Sequence, residues 1–542
     1  MAGLHQLETV VLLLIAVLVL ATIANRVAIP YPIILVLGGL ALSFVPRAPI
    51  VPLQPDLVFL IFLPPILWAA AYFTSLRDFR ANLRPITLLA VGLVLATTAA
   101  VAAVARLLMP GLSWPVAFAL GAIVSPPDAV AATTIARRLR IPHRLVTILE
   151  GESLINDAMA LVLYRAAVAA AVTGSFVLSE TLWQFVVTAL GGIVVGLVVG
   201  AVTCWALRLT GDSLAETAIT LLAPYAAWVV AERAHTSAVL ACVVGGLYVR
   251  QVFSAIVAPA TRLQARAVWD LLVFVLNGVI FILIGLQLAA IRQAGLPGSL
   301  ATLVAQGAAI SATAIGVRLV WVPLAAVIPR LLSRSLRRRD PMPPWPQLLL
   351  LGWAGMRGIV SLAAALALPL TTASGAPFPF RNEIIVLAFA VILSTLVGQG
   401  LSLKPLIRVL NLAEDTSLEL EETQAREAAA RAALARLDEL ASAPWARRDQ
   451  VDRMRALYTQ RLQRSSALNP GDDRAAAETQ AAYRRLRHET LNAERRAVIA
   501  LRDQGVISDD VLHQLEQELD VEAMRIGLGE VRMGGGYSAG ST

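Results

Sequence analysis

The chain has 542 residues, 57% of them apolar, with a mean hydropathy of +0.71. That composition excludes an ordinary soluble domain, and apolar runs of spanning length recur along it, so it reads as an all-α polytopic membrane protein. The net charge of +8 does not point to nucleic acid: residues 1–410 hold 27 basic and 14 acidic side chains and the remainder 18 and 23, which places the positive excess in the short loops between apolar segments.

The amino terminus, MAGLHQLETV, lacks the positive region of a secretory signal, so the apolar run after Glu8 reads as a retained first span. Thirteen apolar segments follow one another, at about 8–25, 30–46, 54–74, 84–109, 114–136, 146–172, 181–207, 215–232, 236–250, 267–291, 300–329, 347–370 and 384–408. Loops after the odd-numbered segments carry Arg26; Arg77, Arg80 and Arg84; Arg137, Arg138, Arg140 and Arg144; Arg208; Arg250, Arg262 and Arg266; and Arg330, Arg334 and Arg337 to Arg339. Those after even-numbered segments carry only Arg47, Arg233, Arg292 and Arg381, with Arg106 near an edge. The positive-inside rule makes the odd loops cytoplasmic, the amino terminus external and the carboxyl-terminal tail cytoplasmic. Cys204 and Cys242 fall inside apolar segments and read as packing residues, with no disulfide or metal framework.

The fifth and sixth segments carry the chemistry. Asp128, Glu152 and Asp157 lie in otherwise apolar surroundings, where each acidic residue costs roughly 2.5 to 3.5 kcal/mol to insert. Three such groups require an ion, a partner or an aqueous cavity. Ser125, Pro126 and Pro127 interrupt the fifth helix just before Asp128, because proline lacks an amide hydrogen and fixes its backbone angle. Carbonyl oxygens freed beside a carboxylate suit a small hard cation. In the sixth segment Ser153 and Asp157 share a helix face with one another, and Glu152 and Asn156 share the next, so the two acids point about 140° apart.

That separation divides the labour. Asp157, beside Ser153, faces the broken fifth helix with Asp128 and is read as the ion site. Glu152 is left to meet Arg357 of the twelfth segment as a structural ion pair, since either charge alone would be costly. Burial raises a carboxylate's proton affinity and a bound cation lowers it, so the two would displace one another and produce exchange. The bland alternative is a satisfied structural pair of acids in a packed bundle. Gly352, Gly355 and Gly358 flank Arg357 and weaken the twelfth segment at its middle. It follows the interrupted fifth by seven segments, which predicts inverted repeats with a pair of interrupted segments in corresponding positions. Asn277 reads as an interhelical hydrogen-bonding group or part of the moving core, Arg165 as a snorkelling side chain, and Arg318 as a pore-facing or helix-contact residue. Gly151, Glu152 and Ser153 are a partial nucleophile elbow without its closing glycine, since Ile155 stands there, and no serine hydrolase is implied.

Past Asn411 the composition turns charged and alanine-rich. The domains expected are a transmembrane domain at 1–411 and a helical tail at 412–542, with breaks near Pro444 and at Asn469, Pro470 and Gly471 and a disordered end. The tail reads as a solvated structural element or a regulatory or dimer-supporting module.

SPPDAVA, LEGESLINDA and GWAGMRGIVSLAAALALP resemble the fifth, sixth and twelfth helices of the cation/proton antiporters that include the sodium/proton exchangers. FLPPILWAAAY, PYAAWVVAERAHTSAVLACVVGGLYV and FVLNGVIFILIGLQL resemble their third, eighth-to-ninth and tenth helices, and RDQGVISDDVLHQLEQELDVEA resembles the end of the bacterial branch. The resemblance covers residues 8–410. It implies a homodimeric sodium/proton antiporter of the bacterial inner membrane, with no cofactor beyond the transported Na+ (or Li+ or K+) and H+, two discontinuous helices that cross, and an elevator-like movement of a core domain. It implies a cation held by Asp157, Asp128, Ser153 and the Pro127 backbone carbonyl, with Asn156 marking electroneutral exchange and Glu152 paired to Arg357. Pro127 and Ala129 depart from the threonine and proline that many relatives place around the aspartate, and Ala69 stands where many place a glutamate. The rival readings are a proton-coupled transporter of another solute and a cation channel or sensor.

Overall fold

The computed structural model describes residues 2–27, 29–45, 55–139, 141–174, 178–295, 298–412, 417–466, 473–504 and 506–525. The break expected at Asn469, Pro470 and Gly471, the end expected to be disordered, Arg47 and Arg140 lie outside them. The described residues are helical, apart from connecting loops and one isolated bridge between Thr371 and Pro377. The chain divides into two compact units, Met1–Asp415 and Thr416–Thr542.

Among the described residues, eleven helices of the first unit are long and apolar enough to cross a membrane. The other two expected spans take different forms. The second is a short helix, Tyr31–Leu42, and the twelfth is split into Trp345–Trp353 and Ile359–Leu366. The fifth is also split, into Trp114–Val124 and Ala129–Arg138, because Pro126 and Pro127 offer no amide hydrogens to continue the first half.

Three spans contain a wide π turn that the apolar pattern does not announce: Val58–Phe62, Leu88–Leu93 and Ser394–Gln399. The first has a visible cause. Pro64 and Pro65 remove two consecutive donors, and the last amide before them, on Leu63, reaches back five residues to the Val58 carbonyl.

Small residues set the closest helix contacts. Gly192, Gly196 and Gly200 recur every fourth residue along the seventh span, Leu178–Leu209, and meet Ser237, Ala241 and Gly245 at the same spacing on the ninth side. A methyl group on Gly196 would press on the Ala241 carbonyl at 2.6 Å, so the backbones touch only because no side chain intervenes.

At one face of the bundle the carboxylate of Asp340 takes guanidinium groups from Arg84, Arg144 and Arg330. This brings together the loops that follow the third, fifth and eleventh spans, as the alternation of basic loops requires.

In the second unit a turn at Pro444 separates Ser417–Leu440 from Arg448–Ser466, and Arg455 bridges the two through Asp438 at 2.5 Å. Asp473–Asp503 and Asp509–Arg525 form another pair, joined by Arg487 to Glu522 and Arg495 to Asp520 around buried Leu491 and Leu512.

Candidate functional site

The two interrupted spans meet at their breaks. The Asp128 amide donates to the Met356 carbonyl at 2.7 Å, joining the unwound Ser125–Asp128 stretch to the unwound Ala354–Gly358 stretch. Arg357 finishes the junction: its amide donates to Thr395 Oγ1 at 3.2 Å, its Nε to the Val124 carbonyl at 3.0 Å, and Nη1 to the Gly355 carbonyl. Carbonyls left over at the end of a half-helix are thereby satisfied by a cation, which also suits the negative end of the helix dipole.

The expected pairing of Glu152 with Arg357 is therefore corrected. Glu152 forms a two-pronged ion pair with Arg318 of the eleventh span, one prong at 2.8 Å, and both side chains are 1% exposed. Arg318 also donates from Nε to the Leu351 carbonyl at 3.2 Å. Arg357 remains within electrostatic reach of both, so three buried charges share the space with a net excess of one positive charge. The flat guanidinium of Arg318 lies parallel-pronged on the carboxylate, the arrangement that best offsets burial of the two charges.

The remaining acids occupy the other side of the sixth span, His143–Thr173. A cavity of about 250 Å3 is lined by Asp128, Ser153 and Asp157, with Asn277 across from them. Asp157 is 8% exposed, and its carboxylate accepts no hydrogen bond from a described residue. Asp128 is differently placed. One of its oxygens caps the second half of the fifth span by accepting from the Val130 amide at 2.8 Å, while the other lies against Gly358. The two carboxylates interact electrostatically across the cavity. The Pro127 carbonyl accepts from Asn156 Nδ2 at 2.9 Å, which leaves it one further lone pair. Asn156 thus belongs to the support of the break, and its own carbonyl oxygen is buried without a partner.

The same cavity takes in residues that the sequence reading passed over: Thr133, Glu150, Asp270 and Ser361. Their signal was periodicity, since Glu150 lies two helical turns before Asp157 and Asp270 two turns before Asn277. Ala69 lines the cavity as well, so the position contributes a methyl group and no oxygen. A larger cavity, about 1120 Å3, borders Ala158 and Leu161 on the sixth span and is lined by Arg165, Glu232 and His235. Arg165 pairs with Glu232 at 3.2 Å, so it has a specific partner rather than merely reaching for the interface. Among the described residues no group of three or more His, Cys, Asp or Glu side chains is disposed to hold a resident metal ion.

Comparison with known proteins returns one consistent answer. The family described as "Sodium/hydrogen exchanger, transmembrane" matches residues 12–409. An uncharacterized Na(+)/H(+) exchanger of Mycobacterium tuberculosis is 38% identical over 530 residues, 96% of each chain. A sodium, potassium, lithium and rubidium/H(+) antiporter of Bacillus pumilus is 33% identical over 71% of this chain and 59% of its own. The fold is shared with the sodium proton antiporter MjNhaP1 from Methanocaldococcus jannaschii, at a TM-score of 0.60 and 20% identity, over 76% of this chain and 99% of that one.

Proposed function

This chain belongs to the sodium/hydrogen exchanger family, a family of secondary transporters rather than enzymes, and from that premise we propose that it exchanges cytoplasmic Na+ for external protons, one for one, at Asp157. Cation/proton antiport across a membrane is the activity of the family; the ion, direction, stoichiometry and site residues are our reading.

One observation carries the site. Asp157 sits at a largely apolar cavity, with no hydrogen bond from a described residue to hold its charge, next to a second carboxylate and a serine hydroxyl. Such a group binds either a proton or a cation, and each expels the other. Asp128 has one oxygen committed to its helix, so it is assigned a supporting share of the ion's charge. Ser153 and the second lone pair of the Pro127 carbonyl complete an oxygen set suited to a hard monovalent cation. A single titrating acid for each cation moved makes the cycle electroneutral. Glu152 and Arg318 are assigned a structural role, as is Arg357.

The two cavities support a reading of alternating access. Asp157 borders one and its neighbour Ala158 borders the other, so the wall between them is the sixth span at this level. An elevator-like shift of the broken spans and the sixth, relative to the third, eighth and tenth, would move Asp157 from one cavity to the other. We assign the Asp340 face and the tail to the cytoplasm and propose a homodimer in the bacterial inner membrane.

The test is reconstitution into liposomes with a trapped pH dye and an imposed proton gradient. Sodium should collapse the gradient, with potassium and lithium compared in parallel because a relative is named for several alkali cations. Asp157→Asn should abolish the response; normal exchange by that variant would remove Asp157 from the site.

A further inference from the structure

Three guanidinium groups converge on one carboxylate where the fourth and sixth spans begin and the eleventh ends. Arg84 and Arg330 both reach Asp340 Oδ2, the latter at 2.8 Å, and Arg144 reaches Oδ1 at 3.0 Å. Arg330 also donates from Nε to the Asp340 main-chain carbonyl at 2.9 Å. One acid thus faces three bases, and two positive charges remain uncompensated. The cluster is graded from interior to surface: the Arg330 side chain is 6% exposed, Arg84 29% and Arg144 44%.

Donor capacity is also left over. Arg84 Nε is buried with no hydrogen-bond partner. Arg144 commits Nε to Asn82 and one terminal nitrogen to Asp340, leaving the other without an acceptor among the described residues. Beside these groups lies a cleft of about 50 Å3, lined by the same three arginines and by Leu89, Ile148 and Val322. At 10–15 Å3 for each water-sized group, it admits roughly four, the number of oxygens on a phosphate.

We propose that this cleft binds the phosphate group of an anionic phospholipid. Guanidinium forks match phosphate oxygens in pairs, and Arg84 and Arg144 each have donors to offer. The first turn of the sixth span adds the positive end of a helix dipole, because Arg144 is its second residue. The apolar walls come from the ends of membrane spans, and they suit the glycerol and upper acyl carbons of a lipid better than a fully hydrated soluble anion. Basic pockets between spans are where anionic headgroups lodge. Asp340 then plays two parts: it holds the three arginines in place, and it competes with the phosphate for them.

That double role makes the test specific. The intact protein, purified in neutral detergent, is unfolded thermally with phosphatidylglycerol, phosphatidylcholine or inorganic phosphate added. Phosphatidylglycerol should raise the midpoint saturably and the other two should not. Arg144→Gln should raise the half-saturating concentration about tenfold, the effect of losing one charge-assisted hydrogen bond. Asp340→Asn should lower that concentration, even though its midpoint without lipid falls. A purely structural cluster predicts equal effects of the two lipids, or the same phosphatidylglycerol titration in wild type and Arg144→Gln; either result overturns the proposal. Stabilisation by inorganic phosphate equal to that by phosphatidylglycerol would reject the lipid and assign the cleft to a soluble anion. If Arg144→Gln does not fold, Arg84→Gln answers the same question.

Discussion

The carboxylate of Asp128 lies against the α-carbon of Gly358, so closely that a methyl group added to that glycine would overlap it. Gly358→Ala must therefore displace Asp128 or spread the crossing of the two broken spans. Overpacking of this kind costs about 1–3 kcal/mol. The expected outcome is a lower unfolding temperature and exchange reduced by more than the loss of folded protein explains, measured in the same liposomes per folded transporter.

Glu152 and Arg318 should be the most stability-sensitive pair in the membrane unit. Removing one partner strands a buried charge, at a cost of about 3–5 kcal/mol. Arg318→Ala and Glu152→Ala should each unfold at much lower temperature than wild type, whereas Glu152→Leu combined with Arg318→Met should recover a large part of the loss. Equal losses in the double variant and the sum of the singles would deny the pairing.

Asn156→Asp tests the support beneath the site. A carboxylate cannot donate to the Pro127 carbonyl, and it would set an anion against an acceptor where a 2.9 Å hydrogen bond now stands. Breaking that contact in a buried setting costs about 1–3 kcal/mol. The variant should unfold earlier than Asn156→Ser, whose hydroxyl keeps a donor; the reverse order would show that the amide is dispensable.

Stability should depend on Asp340 in one direction of pH. Burial pushes its carboxyl up, but Arg144, Arg330 and Arg84 together outweigh this and leave it below the usual carboxylate value. A folded-state value below the unfolded one contributes stability at neutral pH that is lost as pH falls through the folded value. The unfolded reference is about 3.9, so the gap between wild type and Asp340→Asn should be constant near pH 7 and close only below about pH 4. A gap unchanged down to pH 2 would contradict this.

Arg165 and Glu232 meet across the larger cavity, one on the sixth span and the other at the end of the eighth. If the sixth span shifts against the eighth during transport, tying these positions together must stop it. Arg165→Cys with Glu232→Cys, treated with a short bifunctional thiol reagent, should lose exchange, while each single variant treated alike keeps it. Undiminished exchange in the cross-linked pair would exclude relative movement at this level.

Much of this arrangement was legible in the residues, and the failures have particular causes. Pro126, Pro127 and the glycines around Arg357 marked both breaks, because chemistry that ends a helix does so regardless of neighbours. Helical spacing placed Glu152 and Asp157 on different faces, and the structure separates them accordingly. What spacing cannot supply is the rotation of a partner helix. Arg318 and Arg357 both lie in apolar spans, and only packing decides that the first meets Glu152 while the second turns to the Val124 carbonyl. The π turn at Ser394–Gln399 was hidden for a similar reason: one extra residue in a turn leaves no mark in a segment that mixes Ser394, Thr395 and Gln399 with apolar residues. Glu150 and Asp270 were within reach of the same periodicity that found Ser153, and were passed over because they lie near span ends, where an acid needs no special reason.

The hydrogen bond from Asp128 to Met356 has a consequence for how the protein is made. A chain is threaded into the membrane from its amino end, so the peptide groups of Ser125–Asp128 arrive long before the stretch that completes them. Glu152 likewise enters before Arg318 exists. The first half of the molecule must therefore wait, its broken span and its glutamic acid open to water or to the insertion machinery, until the second half is synthesised; assembly of the crossing is a late step that closes both debts of unpaired backbone and unpaired charge together.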